Sequence, residues 1–322
     1  MYSRTDRIAF IDALKCFAIF LVVCGHVLQY LQPLPYSVVP MYRLIYTFHM
    51  PLFMMLAGFF AANVSDKDFK AFFSGKAVRL LLPVVSFCVV FQVLIFGSTL
   101  YGALYYSYWF PKSLFVCTAM YYVCGACFRK RRVAALVVSL VLSQFIFTWQ
   151  IHKMYPCFVA GTLLARNYTW VVRNMRSVAA YSGILFLALL CFVGTQWNPF
   201  PSGQMHPGVS YLLRHSHRLV IGLAGSCAFF CLFCLAGVRM RRSRIGDVLL
   251  SFGRDTLGVY LVQVVVLEIL MDRYIEFTSI DTTLFSLVVA PALALVLTVG
   301  CVLCVRLLRR FRLTRLLFLG EK

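Results

Sequence analysis

Three observations predict that the chain is all-α and polytopic in a membrane. Of its 322 residues 61% are hydrophobic and 13% charged, with a mean hydropathy of +0.84, whereas a soluble domain carries roughly a quarter charged residues. Apolar runs able to cross a hydrocarbon core about 30 Å thick recur from end to end. Lysine and arginine alternate between rich and poor loops, the signature of an oriented bundle.

About ten spanning helices are expected, centred near Phe20, Met55, Val90, Cys117, Leu140, Ala160, Leu187, Phe230, Tyr260 and Leu295. The first runs from Ile8 to Leu31. It is too long and too charged for a cleaved secretory signal, and no small-residue cleavage pattern follows it. The sixth is short, from Met154 to Ala165, and is interrupted by Pro156 and Gly161, so it is expected to be broken, tilted or re-entrant. The longest polar connection, Thr195 to Arg218, carries Pro199, Pro201, His206, Pro207, His215 and His217. A loop of that length reads as a lid or a docking surface, or as a solvated interfacial loop with no ligand. No linker or soluble module separates the spans, which gives a single domain over 1–322.

About 23 lysines and arginines fall on one side of these spans, against about five (Arg43, Lys153, Arg214, Arg218 and Arg273) on the other. Both termini are therefore expected in the cytoplasm. The formal charge of +20 follows from that asymmetry and points to anionic lipid headgroups rather than nucleic acid. Most of the thirteen cysteines lie within spans, where a free thiol packs as a small polarisable group. The Cys124/Cys127, Cys231/Cys234 and Cys301/Cys304 spacings lack the further ligands a zinc site needs, so no metal is expected.

Function is sought where hydrocarbon tolerates polarity least. Asp12, Lys15 and His26 lie inside the first run, and at about 100° per residue all three share one helix face. At about 1.5 Å per residue His26 is roughly 16 Å deeper than Lys15, near mid-membrane. An intramembrane titratable stripe is a site by default. His49, at the outer end of the second span, can reach the same cavity or be satisfied by a backbone carbonyl. Lys76 and Arg79, three apart at the cytoplasmic start of the third span, suit a polyanion such as a nucleotide phosphate, or simply obey the charge rule. Trp109, in the aromatic entry to the fourth span, fits a sugar-binding face or an interfacial belt. In the ninth span Arg254 and Asp255 are placed to pair with each other, and Tyr260 and Gln263 share a face where they are pocket groups or interhelical glue.

Taken together these segments resemble the acyltransferase-3 family of integral membrane O-acyltransferases. Lys15 followed after ten residues by His26 is similar to the family's Arg/Lys-x10-His motif. Phe48-His49-Met50-Pro51-Leu52-Phe53, Lys76 to Pro83, Trp109-Phe110, Phe158 to Gly161 and Gly253 to Gln263 follow in the family's order. Ala57 stands where members usually have Ser, Gln263 where many have His, and Lys15 where Arg is commoner. Larger relatives carry a fused esterase-like domain, and none is expected here.

The resemblance implies ten spans and transfer of a short acyl group, typically acetyl from acetyl-CoA, to a carbohydrate hydroxyl. Acceptors would be O-antigen, capsule, exopolysaccharide or a lipid-linked sugar at a bacterial inner membrane. His26 would be the general base, Asp12 would orient and charge-balance Lys15, and His49 would be a second base or an oxyanion donor. Lys15, Lys76 and Arg79 would hold the CoA phosphates. Trp109, Arg254, Tyr260 and Gln263 would contact the acceptor. The competing class is a proton-coupled small-solute transporter, since intramembrane His, Asp and Lys also build proton relays.

Overall fold

Long apolar stretches with few turn formers leave the chain little choice but helix, because hydrocarbon demands that each backbone N–H and C=O be satisfied within the segment. The computed structural model describes residues 4–31, 35, 38–64, 68–95, 97, 99–193, 207–240, 244–271, 277 and 280–321, and the regular structure among them is entirely helical. The helices are α1 (Arg4–Tyr30), α2 (Pro40–Ala61), α3 (Phe69–Phe87, continued by a π-helical stretch Cys88–Ile95), α4 (Leu100–Tyr106), α5 (Trp109–Cys127), α6 (Arg132–Gln144) and α7 (Ile151–Arg166). They are followed by α8 (Tyr168–Arg173), α9 (Met175–Val193), α10 (Pro207–Met240), α11 (Arg244–Arg254), α12 (Thr256–Val264), α13 (Thr282–Arg310) and α14 (Arg312–Leu319).

Each of the ten expected centres falls inside one of these helices. Six, namely α1, α2, α3, α9, α10 and α13, are long and apolar enough to cross a membrane; α11 and α12, bent by 68° about Asp255, make up to seven. By the same measure α6, with 13 residues, and α7, with 16, are too short, and Lys112 and paired tyrosines dilute α5. This is a multi-pass membrane protein.

α1 forms the axis. In its membrane-length window 78% of the residues are buried, against 11% in α9, and it packs on α2, α10, α11, α12 and α13. α9 therefore faces lipid and α1 does not.

The sixth span differs from expectation. α7 is one continuous helix with Pro156 inside it. A proline removes the hydrogen bond to the carbonyl four residues back. Here that carbonyl, of His152, accepts instead from Gln144 Nε2 at 3.2 Å. Gly161 is no break either. A Cβ there would strike the Met55 carbonyl and the Phe59 amide, and one on Gly58 would strike the Phe158 carbonyl. The two glycines let α2 and α7 approach backbone to backbone, the small-residue packing favoured in membranes.

The long outer connection is also shorter than expected, because α10 begins at Pro207 and takes His215 and His217 into its first turns. Pro199, Pro201 and His206 lie outside the described residues. Asp255 does not pair with Arg254, which is exposed. It is buried against Arg309 Nη1 at 2.8 Å, with Arg306 at 3.9 Å. Arg309 also grips Glu321 through two hydrogen bonds of 2.8 and 3.0 Å, which holds that carboxyl below the usual carboxylate range. The bend between α11 and α12 is thereby tied to α13 and to the residues after α14.

Candidate active site

Two ends of the bundle have different chemistry. At one, Lys15 Nζ meets Asp12 Oδ1 at 3.3 Å and lies 5.0 Å from the Phe60 ring centre, beside the C-terminal end of α2. Arg166 donates there to the Tyr121 hydroxyl at 2.9 Å. At the other end, where α1 runs into α2, a cavity of about 410 Å³ opens between the helices. Its lining includes His26, Gln29 and Tyr30 of α1, Tyr42, Tyr46 and His49 of α2, Tyr108 and Trp109 at the start of α5, and Tyr260 of α12.

His26 sits near the C-terminal end of α1, which stops at Tyr30. Its Nδ1 lies 2.9 Å from Gln263 Oε1. The Gln263 amide nitrogen donates to the Tyr260 carbonyl at 3.3 Å, which orients the amide with its oxygen toward the imidazole. An amide oxygen only accepts, so Nδ1 carries a proton, and in the neutral ring Nε2 is then the nitrogen with the lone pair. His49 is fixed the same way, its Nδ1 lying 2.7 Å from the Ile45 carbonyl oxygen. Its ring also meets Tyr46 edge-on at 4.5 Å, and Tyr46 donates to Gln29 Oε1 at 2.9 Å. Two imidazoles, each with Nδ1 held by a fixed acceptor, thus line one cavity.

Backbone strain gathers at the same place. Among the described residues the non-glycine positions with positive φ are Tyr108 (51°), Trp149 (49°) and Gln150 (58°), and Tyr108 and Gln150 line the cavity. Left-handed backbone costs on the order of 1–2 kcal/mol per residue, and such strain concentrates at functional sites. Trp149 is held by its indole N–H to the Tyr105 carbonyl at 3.0 Å and by Lys112 beneath its ring at 4.9 Å.

The family described as an acyltransferase domain matches residues 8–306. The chain belongs to the acyltransferase-3 family. The match takes in His26, His49 and Gln263 alike. Two proteins named "Nodulation protein NolL" are similar to it. The one from Sinorhizobium fredii is 25% identical over 285 residues, covering 78% of this chain and 76% of the relative. The one from Mesorhizobium japonicum is 25% identical over 292 residues, covering 78% and 74%. No solved structure matches.

In this acyltransferase-3 chain the cavity brings together five of the residues singled out from sequence: His26, His49, Trp109 and Tyr260 in its lining, and Gln263 bonded to His26. Asp12, Lys15, Lys76, Arg79 and Arg254 are not in the lining. Asp12 and Lys15 pair with each other, and Arg79 and Arg254 are exposed. A smaller cavity of about 130 Å³, lined by Arg129, Arg132 and Arg166, lies at the Lys15 end. Sequence reasoning missed Gln29, Tyr42, Tyr46, Lys153 and Arg218 in the main lining. Gln29, polar within the first apolar run, was the one available signal.

Replacing Gln263 with leucine leaves the Nδ1 proton of His26 without an acceptor. Losing such a partner costs about 1–3 kcal/mol, so transfer is expected to fall on the order of tenfold or more in a protein that still accumulates. Gln263→His, which restores an acceptor, retains most of the activity. If the leucine variant matches wild type, Gln263 does not set the tautomer.

Proposed function

We propose that this membrane acyltransferase moves an acyl group, acetyl in the first place, from cytoplasmic acyl-CoA to a hydroxyl of a cell-surface or lipid-linked carbohydrate at a bacterial inner membrane. In this reading α5, α6 and α7 cross together with the seven apolar spans, giving ten crossings and two cytoplasmic termini. The observation that carries it is the pair of imidazoles whose Nε2 atoms are left basic by fixed acceptors on Nδ1, within one tyrosine-rich cavity of a family member.

The chemistry follows from the tautomer. His26 Nε2 takes the proton of the acceptor hydroxyl as its oxygen attacks the thioester carbonyl. The tetrahedral oxyanion collapses, the carbon–sulfur bond breaks, and the imidazolium returns the proton to the departing CoA thiolate. The products are an O-acyl ester and CoA thiol. General base catalysis of this kind contributes about 10²–10⁴-fold. His49 lies where it stabilises the oxyanion or serves as a second base. Trp109 and Tyr260 offer ring faces to a sugar. Lys76 and Arg79, with Lys15 charge-balanced by Asp12, hold the phosphates of CoA at the basic end, where charge-assisted hydrogen bonds to phosphate are strongest.

Calorimetry on the detergent-purified protein tests the donor. Acetyl-CoA is expected to bind at micromolar concentration, and the Lys76→Ala/Arg79→Ala variant to bind at least tenfold more weakly. A folded wild-type protein that binds no acyl-CoA, or one that moves labelled solute without it, would refute acyl transfer.

A further inference from the structure

The main cavity has a cationic wall that neither the imidazoles nor the donor site uses. Positive charge is scarce at this end of the bundle. The sequence counts Arg43, Arg214, Arg218, Lys153 and Arg273 on that side, and among the described residues the structure adds Lys112 at the start of α5. Lys112 donates to the Leu104 and Tyr105 carbonyls and closes the end of α4. Arg214 donates through Nε to the Ser210 carbonyl at 3.1 Å, and Arg273 lies outside the described residues. The other three, Arg43 of α2, Lys153 of α7 and Arg218 of α10, all line the cavity. Three helices deliver one cation each to the same space.

Chance placement fits this poorly. Lysine and arginine are depleted from this side of a bundle because they hinder translocation, and partly buried like charges repel. Lys153 and Arg218 sit close enough for their charges to oppose each other. Among the described residues no aspartate or glutamate lines the cavity. Clefts that carry a single sign of charge between low-dielectric walls concentrate ligands of the opposite sign. The same cavity is lined by Tyr30, Tyr42, Tyr106 and Trp109, flat faces suited to a sugar ring.

We propose that the acceptor is anionic: a saccharide bearing phosphate or carboxylate, seated on Arg43, Lys153 and Arg218 with its hydroxyl toward His26. The assignment rests on the acyl-transfer reading. It places the anion on the acceptor because the phosphates of CoA have their own cations at the opposite end. Arg and Lys hold phosphate and carboxylate oxygens by short charge-assisted bonds, and such contacts weaken as salt rises.

Saturation-transfer NMR on the purified full chain tests this with three probes: glucose, glucuronate and glucose 1-phosphate. At least one anionic sugar is expected to bind at least tenfold more tightly than glucose, with the advantage shrinking as ionic strength rises. Lys153→Gln/Arg218→Gln should abolish that advantage while acetyl-CoA affinity stays within twofold. Lys153→Gln alone, the milder change, should reduce it severalfold if the double variant fails to fold. Which anion wins separates carboxylate from phosphate acceptors. Wild-type protein that prefers neither anion overturns the proposal, as does a preference that survives both variants. So does loss of acetyl-CoA binding in a folded variant, or displacement of the bound sugar by 3′,5′-ADP, since the wall would then hold the donor. Anion preference in a protein that binds no acyl-CoA would instead refute acyl transfer and leave the anion site standing.

Discussion

His26→Ala is expected to abolish detectable O-acylation, a fall of about 10²–10⁴-fold, in a protein that still inserts and accumulates. His26 is half-buried at a cavity wall rather than packed in the core, so its removal opens space without collapsing the bundle. Ester-linked acetyl on surface polysaccharide, measured by proton NMR in cells expressing either form, reads the effect. Near-wild-type acylation by the variant would remove His26 from the chemistry and pass the role of base to His49. If both single variants are inactive, the two imidazoles act as a unit and their effects should not add.

Gly161→Ala is expected to be strongly destabilising. The added carbon would fall on the Met55 carbonyl and the Phe59 amide, both backbone atoms, so neither can swing aside. Overpacking a tight core costs about 1–3 kcal/mol when side chains yield, and here two helices must part. α2 carries His49 and α7 carries Lys153, so separation also dismantles the cavity. Gly183→Ala makes the same chemical change in α9 with nothing within 4 Å of the new carbon, and should be neutral or slightly stabilising, because alanine is the better helix former. Thermal unfolding in detergent, compared across the pair, checks both. An alanine variant at 161 as stable as the one at 183 would mean that α2 and α7 do not pack in this register.

The fold was more legible than the site. Hydropathy located a helix at every expected centre, since a run such as Phe10–Tyr30 has no other way to satisfy its backbone. It does not say where along a run the helix ends, and α1 stops four residues after His26. Pro156 and Gly161 mark the sixth span as broken, tilted or re-entrant because each weakens an isolated helix, and of these only the break is excluded by the continuous α7. The compensations, Gln144 on the freed carbonyl and the backbone of α2 against Gly161, are tertiary. His49, Trp109 and Tyr260 are recognisable by their chemistry, whereas Arg43, Lys153 and Arg218 stand in the sequence only as cations of the charge-poor side, and three helices bring them to one cavity. Arg254 was offered as a partner for Asp255 by adjacency, but the geometry of the bend gave that partnership to Arg309.

Synthesis runs from one end of the chain to the other, and the contact that orients His26 joins residues 237 positions apart. α1 leaves the ribosome long before α12. Asp12 and Lys15, three residues apart, enter the bilayer already neutralising each other. His26 has no such neighbour and must wait for α12. In the acyl-transfer reading the proposed base therefore acquires its Nδ1-protonated tautomer only when most of the protein has been made, so unfinished chains hold the imidazole of His26 without the proton arrangement that the reading requires.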